Sequence, residues 1–177
     1  MIQKAEVQTL LYLLKQNEVL LIEKKRGLGK GFFNGVGGKV HENESIEEAI
    51  IRECIEEIKV LPKNIEWKAL LEFINKTNKG NEFFYVHVFT CKEWEGIPEE
   101  TEEAKPFWFK ITEIPFDKMW EDDKYWLPHV LEGKKLFASF EFRDWKLEKG
   151  KVFFIGEINE LGNKRVQKCR NSKAFSL

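Results

Sequence analysis

The sequence predicts one α+β domain built on a mixed β-sheet, and three observations carry that expectation. Seven short runs are rich in aromatic and β-branched residues and are bounded by turn-forming residues, the pattern of strands. One longer stretch, Ile46–Ile58, has no Gly or Pro, and its apolar positions cover too wide an arc for a surface helix, so it is sandwiched between layers. The length, 177 residues, suits one core better than two small ones.

The first two runs, Thr9–Leu14 and Val19–Glu23, flank Gln16-Asn17-Glu18 and read as a β-hairpin. Gly27, Gly29, Gly31, Gly35, Gly37 and Gly38 then crowd around Phe32-Phe33-Asn34. Such a segment is either a flexible loop or a backbone that approaches a ligand closely. Ser45 followed by Glu48 is a capping-box signature that starts the helix over Ile46–Ile58. Leu70–Ile74, Phe83–Cys91 and Pro106–Ile111 follow as strands, with a turn at Lys79-Gly80-Asn81. A second helix is expected over Asp122–Leu131, interrupted or kinked at Pro128. Leu136–Phe142 and Val152–Ile158 form a closing strand pair turning near Glu148-Lys149-Gly150. The domain is expected to end at residue 158, and 159–177 is a basic tail that is frayed, a short helix or an interaction arm.

A formal net charge of -1, from 29 basic and 30 acidic residues, argues against nucleic acid or an anionic membrane as the partner, with the basic tail the one feature pointing the other way. Cys54, Cys91 and Cys169 lack the spacing of a zinc site or a disulfide framework, which suits a reducing cytoplasm. The N-terminal apolar runs are split by Gln16-Asn17-Glu18, a pattern wrong for a signal peptide and too short for a membrane span. A cytoplasmic protein is expected.

The sharpest chemical signal is Arg52-Glu53-x-x-Glu56-Glu57 on the first helix. At about 100° per residue the three acids share one polar edge. An acid cluster on a helix is ordinarily a solvated face, but this one follows a glycine-rich loop on an otherwise apolar helix. Crowded carboxylates need a cation, and oxygen-only ligation suits Mg²⁺, or Mn²⁺, and hence phosphate chemistry. Gly38, five residues, Glu44, seven residues, then Arg52-Glu53-Cys54-x-Glu56-Glu57-x-Lys59-Val60 resembles the Nudix box, G-x5-E-x7-R-E-U-x-E-E-x-G-U with U apolar. The one departure is Lys59, where the family has a glycine that caps the helix, and it puts the exit geometry in question rather than the acids.

The resemblance implies an α/β/α sandwich, a monomer, and metal-dependent hydrolysis of a nucleoside diphosphate linked to another moiety. It implies a metal site at Gly37, Glu53, Glu56 and Glu57, joined by Glu103 from a loop, with Arg52 orienting the glutamates and Glu44 a structural member of the box. Segments 24–40, 86–98 and 107–142 are similar to the animal-type 8-oxo-dGTPase branch of the family. That narrower likeness implies attack of water at the β-phosphorus of 8-oxo-dGTP or 2-oxo-dATP, releasing the monophosphate and pyrophosphate and so sanitising the nucleotide pool. It also implies that Asn34, Asp122 and Asp123 read the purine edge beside Trp120 and Trp126, with Thr9, Lys24, Leu28, Leu71 and Phe73 lining the pocket. Leu28 and Phe33 stand where that branch carries an aromatic residue and a tryptophan. Chemically, an amide offers donor and acceptor, and two adjacent aspartates in a closed pocket cannot both ionise comfortably. Asp122-Asp123 could equally serve as a helix cap. A different nucleotide substrate, or a module that binds a nucleotide without cleaving it, are the competing readings.

Overall fold

The computed structural model describes residues 5–156 and the backbone of 172–176. In chain order these form β1 (Glu6–Lys15), β2 (Glu18–Lys24), the short β3 (Phe33–Asn34), α1 (Ile46–Ile58), β4 (Leu61–Lys63), β5 (Glu66–Thr77), β6 (Gly80–Cys91), β7 (Glu93–Glu95), β8 (Ala104–Lys110), 3₁₀ turns at Ile111–Glu113 and Phe116–Lys118, α2 (Asp123–Leu131), β9 (Lys135–Arg143), β10 (Lys146–Ile155) and β11 (Ser172–Ser176).

The expected mixed sheet is present. Its strands run β11-β10-β9-β5-β6-β1-β2-β3, with β8 also on β2. Two pairings are parallel, β1 with β6 from Glu6↔Phe84 to Leu13↔Cys91 and β5 with β9 from Ala69↔Leu136 to Lys76↔Arg143. The first hairpin therefore holds only at its turn, through Leu14↔Val19 and Lys15↔Glu18; beyond it β1 joins β6 and β2 joins β8.

Period-2 alternation along β1 and β2 splits the interior into two layers. Leu11, Leu13, Leu20 and Ile22 face α1 and pack with Ile50, Cys54 and Ile58. Tyr12, Val19 and Leu21 face α2 and pack with Trp126, Leu127 and Val130. This is the α/β/α arrangement. Each buried Ile or Leu contributes about 1.5–3 kcal/mol relative to exposure, so the sheet holds both helices without help from their polar faces. Cys54 and Cys91 are free and buried, and Cys169 lies outside the described residues.

Some boundaries differ from those read in the sequence. The β5–β6 turn is Asn78-Lys79, one residue earlier than expected. The closing pair turns at Asp144-Trp145, and Glu148-Lys149-Gly150 lies inside β10 at a bulge in its pairing with β9. Pro128 does not end α2, which continues to Leu131. In the basic tail, Ser172–Ser176 is a strand antiparallel to β10, from Lys149↔Ser176 to Phe153↔Ser172; the rest of 159–177 lies outside the described residues. Among the described residues no helix is long and apolar enough to cross a membrane.

The capping box of α1 forms in full: the Glu48 amide donates to Ser45 Oγ at 3.2 Å and the Ser45 amide to Glu48 Oε2 at 2.8 Å. At the other end Lys59 takes the glycine's place without changing the exit. It adopts φ 61°, ψ 31°, and the Lys59 and Val60 amides donate to the carbonyls of Ile55 (3.2 Å) and Cys54 (3.3 Å), closing the helix as a left-handed cap. A side chain in this conformation is strained where glycine is not. Lys59→Gly is accordingly expected to stabilise the protein by about 1 kcal/mol, read as a higher urea midpoint at unchanged slope. A lower midpoint would mean that the lysine makes a compensating interaction.

Candidate active site

The glycine segment is not a free loop: its first half folds back on Lys24, the Gly31 amide donating to Lys24 O at 2.8 Å, and its last part lies along β1. The Thr9 amide donates to Gly38 O (2.8 Å), the Leu11 amide to Val36 O (2.7 Å) and the Val40 amide to Val7 O (2.9 Å). Gly37, at φ 152°, runs so close to β1 that a Cβ there would meet Thr9 O at 2.0 Å, and a Cβ on Gly38 would meet Glu53 Oε1 at 2.5 Å. Gly37 is needed for the loop to lie against the β1 backbone, and a side chain on Gly38 would push the Glu53 carboxylate aside.

Arg52 ties that loop to the helix. Its Nε and Nη2 donate to the two oxygens of Glu44 at 2.7 and 3.0 Å, Nη2 also to Lys39 O at 3.0 Å, and Nη1 to Glu53 Oε1 at 2.8 Å and Glu56 Oε2 at 3.1 Å. These hydrogen bonds raise the Arg52 pKa and hold that of Glu44 down at about 2. Glu53 and Glu56 are each held through one oxygen, so the other oxygen of each can face a cation.

Glu57 has a different environment. It is buried, its Oε2 accepting the Gly37 amide at 3.0 Å, and burial raises its pKa to about 7 against that hydrogen bond and the nearby charge of Lys24; Glu53 and Glu103 push it further up. Glu103 thus stands close enough to act on Glu57, and it is ion-paired with Arg26. Among the described residues no three carboxylate, imidazole or thiol side chains are already gathered at metal-binding distance, with Glu53 and Glu56 drawn to Arg52. The donor set nevertheless fits a hard divalent cation: the donors are carboxylate oxygens, and one of them is a buried acid whose ionisation a cation would favour.

On the opposite face of the sheet is a cavity of about 150 Å³. Gln8 and Leu10 of β1, Phe73 of β5, Phe84 and Val86 of β6 and Phe142 of β9 line it, with Lys24, Leu28 and Asn34 on one side and Trp120, Asp122, Asp123, Trp126 and Trp145 completing it. Asn34 Oδ1 accepts the Gly35 amide at 2.8 Å, which leaves its NH₂ group as the donor end of the side chain. Asp122 and Asp123 are both buried, and they do not act as the helix cap: Asp122 makes no capping hydrogen bond but accepts from Trp126 Nε1 at 2.9 Å, while Asp123 Oδ2 accepts the Trp120 amide at 3.0 Å. Burial raises the Asp122 pKa to about 6, and burial together with the Asp122 charge raises that of Asp123 well above the carboxylate range. The pair therefore holds a proton at neutral pH. The Tyr12 hydroxyl beneath it is shifted upward too, by burial and then by the two aspartates.

Most of the residues singled out in the sequence thus come together in two adjoining groups, with Lys24 lining the cavity while its charge reaches Glu57. Thr9 and Leu71 do not line the cavity. Thr9 lies on the α1 face of β1, its hydroxyl 3.4 Å from Gly38 O, and Leu71 is core. Phe33 packs edge-on against Phe107 and Phe109. Sequence reasoning missed Gln8, Leu10, Phe84, Val86, Phe142 and Trp145. Alternation along β1 and β6 could have found the strand residues once one cavity residue on each was known; nothing local marks Trp145.

A loop–helix–loop bearing these acids on an α/β/α sandwich defines the NUDIX domain class. The family model, described as the NUDIX domain, matches residues 5–130, and the chain belongs to that family. Within it, the chain is similar to the oxidized purine nucleoside triphosphate hydrolase of Mus musculus, 39% identical over 142 residues that cover 79% of this chain and 88% of that one. The protein of the same name from Danio rerio is 41% identical over 145 residues, covering 78% and 88%. Among solved structures, the MutT protein from Bacillus halodurans superposes with a TM-score of 0.74 at 28% identity, covering 83% of this chain and 97% of that one.

Because folding raises the Glu57 pKa from 4.5 to about 7, ionising this carboxylate opposes the fold. Its contribution to stability is full below about pH 4.5 and is lost as pH rises through about 7. Glu57→Gln, which cannot ionise, is expected to be more stable than the parent at pH 8 in metal-free buffer, by on the order of 3 kcal/mol at most. The difference should shrink toward zero near pH 4.5. Urea unfolding at the two pH values measures it; a difference independent of pH would contradict the buried acid.

Proposed function

We propose that this chain hydrolyses oxidised purine nucleoside triphosphates, 8-oxo-dGTP and 2-oxo-dATP, to the nucleoside monophosphate and pyrophosphate, using Mg²⁺, or Mn²⁺, held by Glu53, Glu56 and Glu57 with Glu103 and Gly37 at the edge of the site. The observation that carries this reading is the pair of buried aspartates in a cavity that Lys24 also lines while its charge reaches Glu57 on α1.

The two groups divide the work. Asp122 and Asp123 together offer one hydrogen-bond donor and one acceptor, and the proton can sit on either, so purines with an oxo or an amino group at the same edge can both be paired. The Asn34 NH₂ adds a donor from the other side. Lys24 neutralises phosphate charge as the triphosphate passes from the cavity toward α1. Arg52 fixes Glu53 and Glu56 against their mutual repulsion. A divalent cation, when bound, draws charge off the phosphate oxygens and acidifies the attacking water. The similarity to relatives named for oxidized purine nucleoside triphosphate hydrolysis supports the substrate class. The free, buried Cys54 and Cys91 suit a reducing cytoplasm.

Steady-state rates on 8-oxo-dGTP, 2-oxo-dATP, dGTP and dATP test the substrate. Oxidised purines should be preferred in kcat/KM, and equal values for 8-oxo-dGTP and dGTP would refute the reading. Asp123→Asn, by fixing one partner as a permanent amide, is expected to lower kcat/KM for 8-oxo-dGTP by about tenfold or more. Turnover should vanish in Glu57→Gln and in chelator; pyrophosphate release that persists in the variant would sink the metal assignment.

A further inference from the structure

The β9–β10 hairpin turns on Asp144 and Trp145, and both are left-handed, at φ 48° and 64°. Two successive left-handed residues make the tight turn for which Asp-Gly or Asn-Gly is the usual choice. A tryptophan in the glycine position carries a steric cost that the hairpin itself does nothing to require. The backbone is nevertheless firmly held. The Trp145 amide donates to Asn75 Oδ1 at 3.0 Å, Asn75 is buried and donates through Nδ2 to Glu82 Oε2 at 2.8 Å, and the Asp144 amide donates to Lys76 O at 3.1 Å.

This turn aims the indole back over the sheet. Its ring centre lies 5.4 Å from Phe84, 6.2 Å from Phe142 and 5.6 Å from Trp120, and it lines the same cavity as Asn34 and the aspartate pair. Trp120 and Trp145 come from opposite sides, one from the segment before α2 and the other from the far end of β9, and they meet over the cavity. Across from them Leu28, 54% exposed, offers no ring. Strained backbone kept at a binding cleft, where a better turn residue exists, marks a side chain retained for what it contacts.

We infer that Trp145 is a specificity-determining residue of this site: its indole is a wall of the base cavity against which the purine ring packs, and it favours purines by their area whatever their oxidation state. This rests on the hydrolase reading above for the identity of the site, but it assigns a separate task. Asn34, Asp122 and Asp123 read the edge of the base, and Trp145 reads its face.

Trp145→Gly makes the test clean because Asp-Gly is the preferred turn, so the hairpin should still form. KM for 8-oxo-dGTP is expected to rise about tenfold, the scale of losing one aromatic stack on a base. kcat should stay within about twofold and the ratio of 8-oxo-dGTP to dGTP turnover should be unchanged, since the edge-reading groups and the acids are intact. Trp145→Phe should restore most of KM. An unchanged KM in Trp145→Gly, or a fall in kcat that Trp145→Phe does not rescue, overturns the inference. If the parent fails to prefer 8-oxo-dGTP over dGTP, the substrate reading falls, while the same KM effect on dGTP would leave the role of Trp145 standing. A parent that turns over no purine triphosphate removes both.

Discussion

One guanidinium, that of Arg52, sets the geometry on which the acid site depends. It reaches Glu44 before the helix, Glu53 and Glu56 within it, and the Lys39 carbonyl of the glycine segment. Without it the Gly37 amide on Glu57 would be left to tie the loop to the helix, and two carboxylates one turn apart would repel each other. A lysine could not substitute, because a single ammonium lacks the planar fork that grips Glu44 through both oxygens while reaching two other acids. Glu57 has no such partner: supported by one amide, it has its proton affinity raised by burial.

The sheet serves as a partition with a different task on each face, and β1 shows this most directly. Its odd residues face α1: Thr9 and Leu11 hold Gly38 and Val36 through their backbones, and the acids rest on that loop. Its even residues face α2: Gln8 and Leu10 line the cavity and Tyr12 lies under the aspartate pair. A slip of one residue in the pairing of β1 with β6 would exchange the two sets and destroy both halves of the site at once. Lys24, at the end of β2, belongs to both. The raised pKa values of Glu57, Asp122 and Asp123 all trace first to burial. The fold therefore carries three acids that oppose its stability, a cost consistent with binding groups that a substrate or cation must later relieve.

What could be read beforehand was whatever depends on local chemistry. The capping box and the unbroken run after Ser45 fixed α1 to the residue, because each of these signals acts within four positions. The acids, Arg52 and Glu44 were legible for the same reason. What escaped depends on tertiary geometry. Gly150 attracts a turn assignment by its type, yet it lies in β10, while the real turn uses a tryptophan in a conformation no propensity would give it. Asp122-Asp123 looks like a helix cap in sequence, and only the indole of Trp126 and the depth of burial show otherwise. Lys59 shows the reverse: the wrong residue type was visible, but not that the surrounding hydrogen bonds hold it in the conformation of the glycine it replaces.

The two parallel pairings have a consequence for how the chain reaches this state. Neither can be closed by a short turn: Glu6 must find Phe84 and Ala69 must find Leu136 before the middle of the sheet exists. The β5–β6 hairpin can form early from its own sequence, whereas β1 and β9, the strands that flank it, arrive only after long loops have closed. Until then α1 has no apolar surface to cover and the cavity beside α2 has no floor. Activity during refolding should therefore lag behind hairpin formation, with the docking of β1 and β9 onto the central hairpin as the slow event.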